Sequence, residues 1–349
     1  MKFKALKYLV PFVLFAGAIC SFQANGMLVW LPLILVWIVI PLLEFFLKAD
    51  AENMSAAEEE LVSADKTYDF ILYLIVPLQY ISLYFFISNI GENNLSTVDL
   101  VGRIGVMGVL CGSFGINVGH ELGHRINKTE QTFAKILLLS SLYMHFFIEH
   151  NKGHHKNVAT PDDPSSARFG EPVYLFYFRT ICMTYLSAWH IASSELVKKG
   201  KRSISFSNPM LQFQLIQLAL VCSLFFLFGI KATICFLIAA LIGILLLETV
   251  NYIEHYGLQR KKTTEGNYER AMPQHSWNSN HVIGRLFLFE LSRHSDHHYI
   301  ASRKYQLLRH HDNSPQMPTG YPGMIIVALF PPIWFWIMNR KIKTFEKGN

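Results

Sequence analysis

The sequence predicts an all-α integral membrane protein, with six transmembrane helices and a cytoplasmic helical cap that holds a histidine-rich metal site. Three observations lead to this fold class. Hydrophobic residues make up 51% and charged residues 16% of the 349 residues, whereas soluble domains carry about 25% charged residues. The apolar residues come in blocks, as they do in membrane proteins. Nine histidines form clusters near the ends of those blocks.

Six apolar blocks are long enough to cross a bilayer, which takes about 20 residues each. Short links at 23–26 and near Gly229 favour helical hairpins. The first block follows three lysines, as a signal peptide would. Another apolar run starts at Met27 without a clear cleavage site between the two, so we expect a retained span. The predicted spans are 5–22, 27–47, 69–90, 99–119, 210–229 and 231–250.

Three further apolar stretches are too short or too interrupted to be predicted as spans. They are 134–148, 172–194 and 323–338. Because they mix charged with aromatic residues, we expect them to form interfacial or half-buried helices.

The distribution of Lys and Arg predicts the orientation of the spans. With the N-terminus inside, six spans place 48–68, 120–208 and 251–349 on one side of the membrane. The last two of these segments hold 24 of the 31 Lys and Arg residues, and the opposite loops, 23–26 and 91–98, hold none. By the positive-inside rule, both termini and all the histidine clusters are expected on the cytoplasmic side.

The histidine clusters have the spacing of metal ligands. The clusters that begin at His120, His150 and His294 contain i,i+4 pairs, which share one face of a helix, and His255 directly follows the sixth span. Imidazole is the commonest side-chain metal ligand, and a histidine-rich site suits iron, copper or zinc rather than calcium or magnesium. Nine ligands are too many for one metal and suit two. They are His120, His124, His150, His154, His155, His255, His294, His297 and His298.

Other chemistry has weaker support in the sequence. The five cysteines form no CxxC pair, which argues against a disulfide framework or a zinc ribbon. The chain has no Gly-rich dinucleotide fingerprint, so we expect that it binds no cofactor nucleotide. A metal transporter or histidine-rich sensor is the alternative from another class. A transporter would place its ligands near mid-membrane in broken helices, and here they lie at the cytoplasmic ends of the spans.

Four motifs resemble the signatures of the alkane 1-monooxygenases, integral-membrane di-iron hydroxylases related to fatty acid desaturases. The HYG motif, which is what separates alkane hydroxylases from desaturases, lies within NYIEHYGL. Segments 276–281 and 314–322 also match the family, and Ser292 departs from it, where Gln is usual. The motifs are HELGHR at 120–125, EHNKGHHKNVATPDDPSSAR at 149–168, NYIEHYGL at 251–258 and LSRHSDHHYIASRKYQLLR at 291–309.

The resemblance implies one membrane hydroxylase domain, 1–349, with cytoplasmic catalytic segments 120–208 and 251–349. It implies that the nine histidines bind two iron ions, with O2 as co-substrate, and leaves open which histidine binds which iron. A ligating imidazole usually donates its other N–H to a carboxylate or carbonyl group. Candidates for this role near the ligands are Glu121, Glu149, Asp162, Asp163, Glu254 and Asp296, together with His281. We expect His310 and His311 at the surface.

The activity implied is hydroxylation of the terminal methyl group of n-alkanes to primary alcohols, in a bacterial inner membrane. No side chain can supply the oxidant for an unactivated C–H bond, so a cofactor must. The substrate should enter from the lipid through a channel, for which Trp30, Trp37 and Phe45 are candidate lining residues. The alternatives within the same superfamily are a desaturase or hydroxylase of fatty acyl chains and an oxidase of alkylbenzene side chains.

The reaction needs two electrons from outside the chain. In this family the donor is rubredoxin, reduced by a separate NAD(P)H-dependent rubredoxin reductase. Such donors are usually acidic, and basic residues would steer them to the cytoplasmic face. Besides rubredoxin, the expected partners are membrane lipid and the apolar substrate, and no nucleic acid. Candidate basic residues are Arg260, Lys261, Lys262, Arg303, Lys304 and Arg309.

Overall fold

The computed structural model describes residues 2–91 and 95–348, and its regular structure is helical. This part of the chain contains no strand, only two isolated bridges, Lys262 with Tyr268 and Asn278 with Gln316. The all-α prediction is therefore confirmed. The predicted loop 91–98 lies partly outside the described residues.

The helices follow closely on one another along the chain. Three π-helical segments, Leu35–Val39, Cys111–Ile116 and His150–His154, interrupt or extend them, and short 3-10 turns lie at Lys7–Leu9, Pro273–His275 and Tyr305–Leu307. The α-helices are α1 (Lys2–Leu6), α2 (Phe12–Gln23), α3 (Met27–Ile34), α4 (Ile40–Phe46), α5 (Ala56–Ala64), α6 (Thr67–Ile90), α7 (Thr97–Leu110), α8 (Asn117–Gly123), α9 (Lys128–Leu139), α10 (Phe146–Glu149), α11 (His155–Asn157), α12 (Val173–Lys198), α13 (Pro209–His255), α14 (Val282–Phe287), α15 (His294–Tyr299), α16 (Tyr321–Ala328) and α17 (Pro331–Gly348).

Five helical segments in the described part of the chain are long and apolar enough to cross a membrane. The first four match the predicted spans, and the fifth, of 47 residues, covers both remaining predictions in one run. Within it, Gly229 has φ 81° and ψ 176°, which is not helical, so the helical path breaks at the predicted link. A sixth separate span stays a prediction. The five segments are Lys4–Gln23, Met27–Phe46, Thr67–Ile90, Thr97–Gly123 and Pro209–His255.

The three predicted interfacial stretches are helical, and none lies among the candidate spans. The stretch 134–148 is not one helix, because α9 ends at Leu139 and α10 begins at Phe146. Leu142 has φ 53° between them, and the Tyr143 N–H donates to the Leu138 carbonyl at 3.0 Å. This is the capping pattern that closes a helix with a left-handed residue.

The chain packs into two compact units, and neither is continuous in sequence. The first consists of Met1–Ile38, Lys66–Glu149 and Tyr185–Leu247. The second consists of Val39–Asp65, His150–Thr184 and Glu248–Asn349. The single hydroxylase domain expected over 1–349 stays a prediction.

In the first unit, glycines let two spans approach closely. A Cβ added at Gly108 of α7 would lie 2.4 Å from Ile242, and one added at Gly243 of α13 would lie 2.6 Å from Cys111. Small residues at such contacts are typical of membrane helix packing. The candidate span Thr97–Gly123, which carries His120 near its end, is therefore packed tightly against α13.

A buried arginine ties the other end of these spans together in the first unit. Arg103 is fully buried, and its guanidinium donates to the carbonyl groups of Asn89 and Ala24 at 2.8 Å each. Asp99 accepts a hydrogen bond from the Gly26 N–H at 2.9 Å. These bonds satisfy carbonyl and N–H groups of the backbone at the end of α6 and in the 23–26 link, which would otherwise lie unpaired beside apolar helices.

The second unit is organised around an aromatic cluster beside the HYG motif. The rings of Tyr252 and Tyr256 lie 5.1 and 5.3 Å from the ring of Trp334. Gly257 has φ 71°, and a Cβ there would lie 2.4 Å from Ile342 Cδ1. Only glycine fits both the turn and the approach of α17, so this motif has a structural reason for its glycine.

Two arginines hold the segment that follows the second candidate span, from Asp50 onwards, within the second unit. The Arg285 guanidinium donates to the Asp50 carbonyl at 2.7 Å, and the Arg293 guanidinium donates to the Glu52 carbonyl at 2.8 Å. Ser55 and Glu58 form a capping box that begins α5. The backbone from Asp50 to α5 is thereby fixed to the elements around α14 and α15.

Candidate metal centre

In the first unit, α8 carries the first histidine pair at the end of the fourth candidate span. The rings of His120 and His124 meet edge to face with centroids 4.8 Å apart, which confirms that this i,i+4 pair shares a helix face. Glu121 accepts a hydrogen bond from the Arg125 guanidinium at 2.7 Å, and the same guanidinium lies 3.3 Å from Asp69. These buried charges fix the end of α8 against the start of α6.

The second histidine cluster lies on a π-helical turn, His150–His154, rather than on an α-helix. A π-turn places residues five apart, not four apart, one above the other. The Nε2 atoms of His150 and His155 accordingly lie 3.0 Å apart, and His154 joins a different group. The rings of His150 and His154 nevertheless have centroids 5.0 Å apart, so the two histidines are neighbours on this turn, although their nitrogens belong to different groups.

Four histidines of the second unit, the four-histidine group, bring one ring nitrogen each to within 4.8 Å of one another. The Nε2 atom of His298 lies 3.2 Å from that of His154 and 2.9 Å from that of His294. The Nε2 atoms of His294 and His255 are 3.3 Å apart. All four side chains are buried. The group consists of His154, His255, His294 and His298.

Three more histidines of the second unit form the three-histidine group: His150, His155 and His297. The Nε2 atom of His155 lies 3.0 Å from that of His150 and 3.1 Å from that of His297. Helix α15 contributes to both groups, because His294 and His298 face one and His297 faces the other. The three α15 histidines were predicted to share one helix face, and in the structure their rings belong to two neighbouring groups.

These nitrogens are suited to bind a cation. Burial, followed by the neighbouring imidazoles of His155 and His294, lowers the pKa of His298 well below its ordinary value. A neutral imidazole keeps a lone pair for a metal. Several such lone pairs within about 3 Å of one another repel unless a cation lies between them. A donor set of imidazoles fits iron, copper or zinc.

Asp163 is placed to orient one of these imidazoles. Its carboxylate lies 2.9 Å from Nδ1 of His154 and accepts hydrogen bonds from the Ser166 hydroxyl at 2.6 Å and the Ser165 N–H at 3.0 Å. Burial alone would raise the pKa of Asp163, but His154 and Ser166 outweigh it and the pKa is lowered. A carboxylate on Nδ1 directs the lone pair of Nε2 towards the group.

Glu254 approaches the His294 imidazole at Nε2, whereas an acid that orients a ligand is expected at Nδ1. Its Oε2 atom is 3.1 Å from Nε2 of His294, and its Oε1 atom accepts a hydrogen bond from the Tyr321 hydroxyl at 2.7 Å. Burial, followed by the Glu254 charge, raises the pKa of Tyr321 well above its ordinary value, so this hydroxyl remains a donor. The sequence did not identify Tyr321, although it lies in the family-like segment 314–322.

Asp296 is buried within α15 but is held by basic residues rather than by a member of either group. It accepts hydrogen bonds from Arg303 at 2.7 and 2.8 Å and from the Arg309 N–H at 2.9 Å. Nε2 of His311 lies 2.7 Å from it. His311, expected as a surface residue, thus contacts the acid that lies between His294 and His297 in the sequence.

The remaining predicted site residues have varied positions. Glu149 is buried, and the Ser187 hydroxyl lies 3.5 Å from its carboxylate. Asp162 is exposed. Nδ1 of His281 lies 3.0 Å from the Ser279 hydroxyl. Their predicted roles beside the metal ligands stay predictions.

The aromatic residues predicted to line a substrate channel lie on α3, the π segment and α4. Trp30 and Trp37 are partly buried, and the Trp30 indole is within 3.1–3.3 Å of where a Cβ at Gly102 would lie. Phe45 is 82% exposed, as a residue that faces lipid would be. The channel role of these three residues stays a prediction.

Comparison with known proteins supports the resemblance inferred from the motifs. A family model described as fatty acid desaturase matches residues 101–328. The chain is 39% identical over 311 residues to an alkane 1-monooxygenase from Acinetobacter baylyi, covering 88% of this chain and 76% of that protein. It is 36% identical over 344 residues to alkane 1-monooxygenase 2 from Alcanivorax borkumensis, covering 98% and 89%.

A further relative is named for a different substrate. The hydroxylase component of a xylene/toluene monooxygenase from Pseudomonas putida is 28% identical over 348 residues, which cover 97% of this chain and 89% of that protein. Similarity therefore extends to a protein named for aromatic substrates, at lower identity than to the proteins named for alkanes.

Proposed function

Because the chain belongs to the alkane 1-monooxygenases of the fatty acid desaturase family, we propose that it is a membrane monooxygenase that hydroxylates the terminal methyl group of n-alkanes to primary alcohols. The observation that carries the proposal is the pair of histidine groups in the second unit, whose neighbouring Nε2 atoms lie 2.9–3.3 Å apart. No other chemistry of the described residues needs so many converging imidazoles.

The residues present fit two iron ions. The four-histidine group would hold one ion and the three-histidine group the other. By resemblance to the family, His120 and His124 complete the ligand set to nine. The irons would supply the activation of O2 and the attack on an unactivated C–H bond, which no side chain can perform.

The protein's own residues then have defined tasks. Asp163 holds His154 in the tautomer that offers Nε2 inward. Burial lowers the pKa of His298 and so keeps this imidazole neutral, and the burial of the four-histidine group strengthens each electrostatic interaction there. The π-turn divides its histidines between the two groups, so one short segment contributes to both ions.

For topology, the proposal is six spans with both termini in the cytoplasm of a bacterium, in the inner membrane. Two features support it: the non-helical Gly229 within Pro209–His255 and the concentration of Lys and Arg in 120–208 and 251–349. Large exposed apolar side chains, such as Phe46 and Phe226 at 83% and 80% exposed, are what a lipid-facing surface requires.

The electron donor is proposed to be rubredoxin, served by an NAD(P)H-dependent reductase. Among the candidate steering residues, Arg303 and Arg309 are held by Asp296 and Glu59. Lys261 lies at a pocket of about 660 Å³ in the second unit, which His275 also lines. The hydroxyl of Ser276, the next residue, lies 3.5 Å from Nδ1 of the His255 imidazole, so a donor docked there would be close to the four-histidine group.

The experiment that tests the function uses membranes carrying the chain, supplied with NADH, rubredoxin, its reductase and a mixture of n-alkanes. Gas chromatography with mass spectrometry should detect primary alcohols, and His297→Ala should abolish them and lower the iron content. His190→Ala, at an exposed histidine, is the matched control and should leave both unchanged. Absence of alcohols from an iron-loaded protein would refute the alkane proposal.

A second candidate, an alkylbenzene side-chain hydroxylase, is favoured by the xylene/toluene relative. The same assay with toluene and xylene separates the two. Benzylic alcohols formed faster than alkanols would favour the second candidate, and alkenes from acyl chains would indicate a desaturase instead.

A further inference from the structure

Helix α17, in the second unit, has two opposite faces. Trp334, Met338 and Ile342 are buried, and their spacing of four residues follows one side of a helix. Residues spaced three and four apart lie on the opposite side and are all exposed. This outer stripe of α17 consists of Ile333, Trp336, Arg340, Lys343 and Lys347.

The buried face fixes α17 against the HYG motif. The Trp334 ring lies 5.3 Å from that of Tyr256, and the Tyr256 hydroxyl donates to Oδ1 of Asn339 at 2.8 Å. A Cβ at Gly257 would lie 2.4 Å from Ile342 Cδ1, so the helix approaches the motif as closely as its side chains allow. Because this face is held, the outer stripe has a fixed direction, away from the HYG motif.

The outer stripe changes from apolar to basic along the helix. At its start, Ile333 and Trp336 are 50% and 61% exposed, and its remaining members are Arg or Lys. Between positions 340 and 347 the chain has four Lys or Arg residues and one Glu. Apolar and basic side chains on one exposed surface are typical of a helix at a membrane interface, where the apolar part enters the acyl chains and the charges meet the headgroups.

The apolar end of α17 adjoins a second apolar surface of the same unit. The Tyr174 hydroxyl, at the start of α12, donates to the Leu329 carbonyl at 2.7 Å, in the link between α16 and α17. Around this contact Tyr174, Phe330 and Ile333 are each about half exposed, and Phe178, one turn further along α12, is 76% exposed. Two helices thus expose large apolar side chains where they meet, as a surface that contacts lipid does.

A cation–π contact lies at the boundary between the apolar and the basic part of the stripe. The Arg340 guanidinium is placed over the Trp336 ring, 4.7 Å from its centroid. Tryptophan is enriched at the level of the lipid headgroups, and a guanidinium binds phosphate oxygens through two parallel N–H donors. Arg340 is therefore placed at the depth at which a lipid phosphate would lie.

We propose that the outer stripe of α17 is a binding surface for anionic phospholipid. Its apolar part enters the acyl region, and its Arg and Lys residues bind the phosphate and the other headgroup oxygens. A zwitterionic lipid has a phosphate but no net charge, so the basic part selects lipid with a net negative charge. An acidic protein would also be attracted to these charges, but the exposed Ile333 and Trp336 favour lipid. The bound lipid holds α17 against the HYG motif and so stabilises the second unit.

The test uses the full-length protein in vesicles of phosphatidylcholine and phosphatidylglycerol. Bromine on the acyl chains of one lipid or the other, in equal amount, quenches the tryptophans that the labelled lipid contacts. Subtracting the signal of the Trp336→Phe form isolates the quenching of Trp336. Labelled phosphatidylglycerol should quench it more than labelled phosphatidylcholine, and high salt should reduce the difference. The Tm of the protein should also be higher with phosphatidylglycerol than with phosphatidylcholine alone.

Neighbouring residues provide the variant and its matched control. Arg340→Gln should reduce the preference for phosphatidylglycerol about fivefold, the effect of one basic residue near an anionic surface, and should reduce the gain in Tm. Lys341→Gln removes the same charge from the next position, which is exposed but lies off the outer stripe. It should keep most of the preference.

Three results would overturn the inference. Equal quenching by the two lipids in the wild type would show that the surface does not select anionic lipid. Equal losses in Arg340→Gln and Lys341→Gln would assign the preference to overall charge rather than to the outer stripe. Weaker rubredoxin binding in Arg340→Gln with unchanged quenching would make the stripe a surface for the electron donor instead. The proposed function depends on alcohol formation and is unaffected by all three.

Discussion

Replacing Asp163 by asparagine should weaken the binding of one metal ion without disturbing the fold. The carboxylate lies 2.9 Å from Nδ1 of His154 and both side chains are fully buried. An ionised aspartate can only accept a hydrogen bond, so the proton stays on Nδ1 and the lone pair stays on Nε2. An amide NH2 group in its place would donate to Nδ1. The imidazole proton would then move to Nε2, where it blocks the metal.

The size of the effect follows from this change of tautomer. Loss of a carboxylate behind a metal-ligating histidine typically costs 10–100-fold in metal affinity, which corresponds to about 1.4–2.8 kcal/mol. The asparagine oxygen can still accept the hydrogen bond that Asp163 receives from the Ser165 N–H at 3.0 Å, so the loop should keep its shape. Only one of the two ions should be affected, because His154 belongs to the four-histidine group alone.

The assay is iron retained against a graded series of chelator concentrations, measured by mass spectrometry on the purified protein, together with alcohol formation in membranes. The adjacent residue provides the control, since Asp162 is exposed and Asp162→Asn removes the same charge from the same loop. Asp163→Asn should shift the retention curve of one ion and Asp162→Asn should not. Equal retention in Asp163→Asn and the wild type would refute the argument, and an equal loss in both variants would assign the effect to the charge of the loop.

Two further predictions concern the fold of the second unit. Gly257→Ala should destabilise the protein by about 2 kcal/mol or more, because the alanine would have a positive φ and would clash with Ile342. Gly170→Ala, at φ 78° in open space, is the control and should lose only the stability that the positive φ costs. Equal decreases in Tm for the two variants would refute the role of the clash. Glu171 is partly buried, yet its hydrogen bonds with Arg179, at 2.7 and 2.8 Å, lower its pKa. Its stabilisation is therefore present at neutral pH and lost as the pH falls below about 4, so Glu171→Gln should have a lower Tm at pH 7 and a flatter acid limb. An unchanged acid limb in Glu171→Gln would contradict this.

The helices and the clustering of the histidines could be predicted because their signals are local and strong. Runs of about 20 apolar residues leave few alternatives to a helix, and four of the predicted spans match Lys4–Gln23, Met27–Phe46, Thr67–Ile90 and Thr97–Gly123. The link near Gly229 was also visible, because glycine favours the positive φ of 81° found there. The motifs identified the family, which the matches over most of the chain confirm.

The winding of the turn that carries His150 and His154 could not be predicted. The two residues have the spacing of an α-helical pair, and a π-turn differs by a single inserted position that composition does not reveal. In the structure the π-turn brings the Nε2 atoms of His150 and His155 together, and His154 belongs to the other group. Helical periodicity therefore predicted that these histidines lie near one another, but it could not show which of their nitrogens would meet.

The roles of the acids beside the histidines also depend on tertiary structure. Asp162 and Asp163 are neighbours in sequence, yet one is exposed and the other lies on the Nδ1 atom of His154. Glu254 precedes His255 but approaches His294, which is 40 positions further along the chain. Whether an acid can orient a histidine for metal binding depends on which ring nitrogen it meets. That nitrogen is fixed by side-chain packing and has no signature in the spacing of residues.

The division of ligands between the two groups gives the site a rigidity that does not depend on a bridging side chain. The π-turn supplies His154 to one group and His150 to the other, and α15 likewise supplies His298 to one and His297 to the other. Each element is short and held by hydrogen bonds outside the groups, through Asp163 in the first case and Asp296 in the second. Because the π-turn and α15 each contribute to both groups, these two elements fix the distance between the groups. The spacing of the proposed irons is therefore a property of the fold, set before either ion binds, and this preorganisation is what a site needs if its ligands are to stay in place during the reaction.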